Sequence, residues 1–255
     1  MNFQMRQSSG GQVARSEESW KLWIPAGSAR EYRLAQIDDY AGLRRSRYPW
    51  RPPVTVSLRA RISNASAPGT WGFGLWNDPF GLSIGGGSEL LRLPALPQCA
   101  WFFGASPRSY LSFQDDMPAS GFFAQTLMSA PASGGLIRAA LALPFAPRAS
   151  RRLVARFVKE DGKQISVQPE MWHTYAVEWR ENGTTFLVDD LLIMESQATP
   201  KAPLGLVIWI DNQFAAFRPH ERPRWGLEAA GAACWLEVER VRVSGSGTES
   251  REVPA

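Results

Sequence analysis

Two short stretches bring together residue types that can hold a sugar: Trp76-Asn77-Asp78-Pro79 and Trp209-Ile210-Asp211-Asn212-Gln213. Each closes an apolar run with a tryptophan and places an aspartate two residues later. If the strand persists, alternation puts both side chains on one face. An indole offers a flat apolar plate to a sugar ring, and Asp and Asn hold hydroxyls. Gly72 and Gly74 share the face of Trp76, and a glycine within a strand often marks close approach of a ligand or another backbone. Trp76, Asn77, Asp78, Trp209, Asp211 and Asn212 are therefore candidate ligand-binding residues. His220 and Glu221, in the loop Phe217-Arg218-Pro219-His220-Glu221, are candidates for the same rim with Arg218. The competing reading is packing: tryptophan is mostly core, and Asn or Asp at a strand end commonly makes a turn.

Other chemistries find less support. No Ser-His-Asp arrangement with an elbow motif is present. Two histidines and two distant cysteines make no zinc-ligand cluster, and no dense Asp/Asn loop is there to hold Ca²⁺. The glycine-rich residues 81–87 lack the Lys-Ser/Thr pair and helix of a phosphate loop. No metal and no cofactor is expected. Cys99 and Cys234 read as two buried free thiols of a reducing compartment, with a single disulfide as the alternative.

The 255 residues are enough for a well-buried core and fit one all-β domain. Hydrophobic content of 44% indicates a globular chain, and 11 Trp, 22 Gly and 19 Pro suit short strands joined by turns. Net charge is +4, and the basic clusters at 44–47 and 148–152 read as solvated loops. A nucleic-acid partner would need a basic stripe with stacking aromatics, and none is present. No apolar run reaches membrane-spanning length. The first twenty residues lack an apolar signal core, so a cytoplasmic protein is expected.

The elements that must position these residues alternate with period two. Residues 54–62 are the cleanest strand, with Val54, Val56, Leu58, Ala60 and Ile62 on one face and Thr55, Ser57, Arg59 and Arg61 on the other. Strands are also expected over 20–24, 31–37, 71–76, 100–103, 110–113, 121–128, 153–158 and 165–167. Residues 204–210 are apolar on both faces and read as a central strand. Residues 235–243 form a strand whose alternation shifts near Glu239, consistent with a bulge. Residues 136–143 are the best helix candidate, and Asp161-Gly162 reads as a turn. A single domain over 20–244 is expected, with 1–19 and 245–255 as flexible termini.

Residues 172–193, WHTYAVEWRENGTTFLVDDLLI, organise the rest. Tyr175, Val177 and Trp179 alternate with Ala176, Glu178 and Arg180. Asn182-Gly183 is a strong hairpin signal, because both residues tolerate positive φ. Residues 184–188 are β-branched and aromatic. This wording resembles the hairpin of the family 16 glycoside hydrolases, where a strand ending in an aromatic, Val and Asp is usually closed by Gly; Asp190 stands at the glycine position. Residues 54–76, 204–210 and 235–243 resemble the same family. The resemblance implies a concanavalin A-like β-sandwich (a jelly roll) of two antiparallel sheets with little helix.

That family places Glu-x-Asp-x(x)-Glu on one strand, which the resemblance puts near residues 96–103. The stretch Leu-Pro-Gln-Cys-Ala-Trp-Phe-Phe contains no acid. Glu237 and Glu239 are two apart but lie on the closing strand, and His173 reads as structural. Three functions compete: a noncatalytic glycan-binding or scaffold domain with an oligosaccharide partner; a divergent glycoside hydrolase using Asp78, Asp211 or Glu221; and a structural or protein-interaction sandwich. Neither a nucleic acid nor a membrane is expected as partner.

Overall fold

The computed structural model describes residues 2–79, 95–114, 117, 119–130, 155–219, 221–222, 224–245 and 248–252. The strands run β1 (Gln4–Ser8), β2 (Gln12–Arg15), β3 (Ser19–Ile24), β4 (Leu34–Asp38), β5 (Val54–Ile62) and β6 (Thr70–Trp76). They continue with β7 (Cys99–Ala105), β8 (Gly121–Ser129), β9 (Val158–Gln164), β10 (His173–Arg180), β11 (Gly183–Val188) and β12 (Leu191–Ser196). The last are β13 (Gly205–Asp211), β14 (Gln213–Ala216), β15 (Arg224–Leu227), β16 (Cys234–Gly245) and β17 (Thr248–Glu252).

A 7-stranded sheet has the order β1-β4-β13-β6-β7-β8-β9, and an 8-stranded sheet the order β12-β11-β10-β5-β16-β3-β2, with β17 paired to β16. Every pairing within them is antiparallel. Strands β14 and β15 form a separate hairpin. This is the all-β sandwich of two antiparallel sheets that the hairpin wording implied. The two sheets bury one core between them, from Leu22, Ile24, Ile37, Val56 and Leu58 to Phe73, Phe102, Trp179, Phe186, Ile208 and Leu236.

Strand β5 has the bounds and the alternating burial that its sequence predicts. In β16, buried positions switch from Leu236 and Val238 to Val241 and Val243. The register against β5 shifts between Glu239 and Arg242, and Arg240 takes φ 53°. That is the expected bulge: one extra residue changes which parity faces the core.

Several expectations are corrected. The stretch 1–19 is not a loose lead-in, since β1 pairs with β4 and β2 with β3. Residues 248–252, expected in a flexible tail, pair with β16. Residues 110–113 form no strand; Tyr110 makes only an isolated bridge to Ala216. Residues 155–157 are helical, and β9 begins at Val158. Asp161 and Gly162 lie inside β9, opposite Thr126 and Gln125, because ladder pairing overrides a two-residue turn signal. The first hairpin turn is Glu181–Asn182, and Gly183 already pairs with Arg180. A Cβ there would lie 2.9 Å from the Ser196 carbonyl oxygen, so this glycine serves close strand packing. The helix expected over 136–143, the glycine-rich 81–87 and His220 lie outside the described residues. Cys99 and Cys234 are buried free thiols.

Candidate functional site

Alternation assigns the two faces of the 7-stranded sheet. On β13, Leu206, Ile208 and Ile210 enter the inter-sheet core, so Val207, Trp209 and Asp211 face outward. On β6 the outward positions are Gly72, Gly74 and Trp76, and on β7 they are Cys99, Trp101, Phe103 and Ala105. A second, aromatic cluster covers this outer face, including Tyr40, Tyr48, Trp101, Phe103, Phe123 and Trp209, with Trp76, Leu111 and Phe113 packed against it.

The two tryptophans singled out in the sequence do meet. Trp76 and Trp209 lie with ring centroids 6.1 Å apart and planes 4° from parallel. Trp101 contacts both, at 5.9 and 5.5 Å, and Phe103 lies 5.4 Å from Trp209. Trp209 is only 6% exposed and Trp101 8%, whereas Trp76 is half-buried. The Trp76 indole N–H donates to the Tyr40 hydroxyl at 2.7 Å, and that of Trp209 donates to Thr70 Oγ1 at 3.0 Å. The glycines have a matching reason. A Cβ on Gly72 would lie 2.9 Å from the Trp209 ring and 2.4 Å from the Phe102 carbonyl oxygen. On Gly74 it would lie 2.5 Å from the Ala100 carbonyl oxygen and 2.6 Å from the Trp101 Cα. Neighbouring backbone and indoles make the close approach.

The aspartates do not join this cluster together. Trp76 lies opposite Gly205, and Asp211 opposite Thr70. Asp78 and Asp211 thus sit at opposite ends of the strand pair, which from Thr70 to Trp76 is itself about 20 Å long. The Asp211 carboxylate accepts from the Thr70 N–H and hydroxyl, the Gln213 N–H and the Tyr32 hydroxyl. Asn212 accepts from the Arg33 N–H at 2.8 Å and donates to the carbonyls of Glu31 and Glu228. Asn77 accepts from the Gln98 N–H and donates to the Leu96 carbonyl. Asp78 takes φ 47°, and its carbonyl accepts from the Arg45 guanidinium. All four stand where strands end, and the hydrogen bonds described here join them to neighbouring turns and strand ends. Glu221 is exposed.

The register brings in polar groups that the sequence reading missed. On β4, Gln36 donates to Asp38 at 2.8 Å and to the Tyr40 hydroxyl at 3.4 Å. On the other flank, the Trp101 indole donates to Gln125 at 2.9 Å, and Gln125 donates to Glu160 at 2.8 Å. Each couple joins an amide to a buried carboxylate. Burial raises Asp38 and Glu160 above the usual carboxylate range, against the hydrogen bonds each accepts. The Trp101–Gln125–Glu160 chain leaves no local signal in the sequence, because its members lie tens of residues apart, whereas Gln36, Asp38 and Tyr40 share one parity of a single stretch. Asp38 and Glu160 are also five strands apart in sheet order, about 24 Å at the usual spacing. Glycoside cleavage by a carboxyl pair needs about 5 to 9.5 Å.

Two further carboxyls set a pH dependence. Burial pushes Asp39 up to about 7, opposed by hydrogen bonds from the Trp50 indole and the Leu206 N–H. Burial raises Asp211 to about 6, opposed by Thr70, Gln213 and Tyr32. A carboxyl raised in the folded state binds its proton more tightly there than in the unfolded chain. Its contribution is complete below about pH 4 and is lost as pH rises through the folded value. The melting midpoint is therefore expected to fall between pH 5 and pH 8. Asp39→Asn should flatten that slope, and an equal slope in wild type and variant would refute the assignment.

No family model and no curated protein matches the chain. Among solved structures it is similar to a sialidase at 9% identity and TM-score 0.49, over 96% of this chain but only 17% of the sialidase. It is similar to a legume lectin-like domain from Entamoeba histolytica at 13% identity and TM-score 0.47, over 96% and 91% of the two chains. It is also similar to a Bacteroides ovatus mixed-linkage-glucan family 16 protein bound to a product, at 10% identity and TM-score 0.45, over 92% and 85%. At these identities the likeness is one of fold.

Proposed function

We propose that the chain is a noncatalytic glycan-binding sandwich, with the outer aromatic face of its 7-stranded sheet as the binding surface. One observation carries the reading: the outward positions of the inner strand β7 are Cys99, Trp101, Phe103 and Ala105, two aromatic and none acidic, where the resemblance would put a carboxylate pair. Tryptophans flanked by amide–carboxylate couples supply ring stacking and hydroxyl partners, and the two carboxylates stand too far apart to act as a catalytic pair. Trp76, the partly open member of the trio, is the stacking platform, and Trp101 and Trp209 support it from below.

Oligosaccharide titration, after a glycan-array screen, tests this. Trp76→Ala should weaken binding about tenfold, since a stacking contact is worth about 0.5–1.5 kcal/mol beyond area burial and 1.4 kcal/mol is one decade. Trp76→Phe should keep most of the affinity. Release of reducing ends from any oligosaccharide bound, lost on changing Glu160 or Asp38, would overturn the noncatalytic reading.

The burial of Trp101 and Trp209 favours a second reading, a structural or protein-interaction sandwich whose aromatic face is an outer core. It gains if no glycan binds at millimolar concentration and Trp76→Ala alters only stability.

A further inference from the structure

The turn between β11 and β12 is made by Asp189 and Asp190, at φ 50° and 62°. The Asp189 N–H donates to the Thr174 carbonyl at 2.8 Å, and its Oδ1 accepts from the Thr174 N–H at 2.8 Å. Its Oδ2 lies 2.6 Å from Nδ1 of His173. On the other side of the ring, Nε2 lies 3.2 Å from the carbonyl oxygen of Gln168. That carbonyl also accepts from the Met171 N–H at 3.0 Å.

A carboxylate and a carbonyl oxygen can only accept. A neutral imidazole has one N–H and one lone pair, so it satisfies one of these contacts and sets its lone pair against the other. Only the imidazolium donates to both. The Asp189 contact is the shorter and is charge-assisted, so Nδ1 keeps its proton and Nε2 is the nitrogen that loses one.

The segment beyond Gln168 is fastened to β5 and the turn after it. The Pro169 carbonyl accepts from the Ile62 N–H at 2.9 Å, and the Glu170 carboxylate accepts from the Ala65 N–H at 2.8 Å. Trp172 lies under the guanidinium groups of Arg59 and Arg61, at 5.3 and 4.9 Å. His173 therefore stands between the β11–β12 turn and a strap leading from β9 to β10.

We infer that His173 is a proton-operated latch: as an imidazolium it ties the Asp189 turn to the Gln168 carbonyl, and loss of the Nε2 proton releases residues 168–172. Among the described residues, Asp189 is its anionic contact, and Arg59, opposite Thr174 on β5, is itself paired with Glu239. The Tyr175 ring meets the imidazole edge-on at 6.2 Å, and Asp190 is exposed in the same turn. Asp189 lies below the usual carboxylate range: desolvation raises it, and the hydrogen bonds from His173 and Thr174 outweigh that. The inference concerns this strap and does not depend on the glycan reading.

The chain has two histidines, so ¹⁵N-histidine spectra resolve two rings, and His173→Gln assigns them. Amide hydrogen exchange at Met171 and Ile62 reports on the strap once the intrinsic pH effect is removed. Protection at both amides should fall about tenfold in step with the His173 titration. It should be independent of pH in His173→Gln. Asp189→Asn retains an acceptor for Thr174 but removes the charge that holds the ring, so protection at Met171 and Ile62 should be below wild type at acid pH even if His173→Gln folds poorly. Protection unchanged across the whole His173 titration overturns the latch. So does protection in Asp189→Asn equal to that of wild type at acid pH.

Discussion

Replacing Trp209 with alanine lowers the melting midpoint by on the order of 10 °C. The indole is 6% exposed, stacks against three aromatic rings and holds the Thr70 hydroxyl. Removing a buried Trp costs about 3–5 kcal/mol, and each kcal/mol moves the midpoint of a domain this size about 2–4 °C. Trp101, Phe103 and Trp76 cannot collapse into the space without leaving their rotamers. Trp209→Phe should recover more than half of the loss, since it keeps a ring but not the bond to Thr70. A midpoint unchanged in the alanine variant would mean that Trp209 is an open platform rather than packing.

Gly74→Ala should be as damaging, though it adds a single methyl. The residue sits at φ 150° in the middle of β6, opposite Trp101 of β7. The new carbon would lie 2.5 Å from a backbone oxygen, which cannot swing aside as a side chain would. Overpacking costs about 1–3 kcal/mol and strained backbone about 1–3 kcal/mol more. Chemical denaturation should show a loss of about 3 kcal/mol. A loss under 1 kcal/mol would show that β6 and β7 can part locally. Gly231→Ala is a useful contrast, because nothing lies within 4 Å of the carbon it adds.

Where period two is clean, the sequence is enough. Strand β5 could be read to the residue, and the bulge in β16 appears as a change of parity around Glu239. Asp190, standing where the resemblance has glycine, adopts the left-handed backbone that the position requires. The errors have a shared physical origin, since short polar strands carry no hydrophobic period. Strands β1, β2 and β9 are polar segments held by ladder bonds to neighbours distant in sequence. The candidate site was half legible. Trp-x-Asp correctly placed two indoles on one outward face, because parity is local. It could not show that antiparallel pairing sends the two aspartates to opposite ends. Gln125 and Glu160 were passed over because they meet each other and Trp101 only through sheet register; Gln36 and Asp38, two apart on β4, were legible as a local pair.

Strands β1 and β2, joined by a short turn, belong one to each sheet. That turn passes so close to β4 that a Cβ on Gly11 would lie 2.1 Å from the Leu34 carbonyl oxygen. The first fifteen residues therefore act as a hem. A shortened chain beginning at Ser19 would leave the open hydrogen-bonding edges of β3 and β4 side by side, each a template for a strand from another molecule. Such a chain should keep its core yet self-associate at concentrations where the full chain stays dispersed. Light scattering would register that difference before any change in circular dichroism.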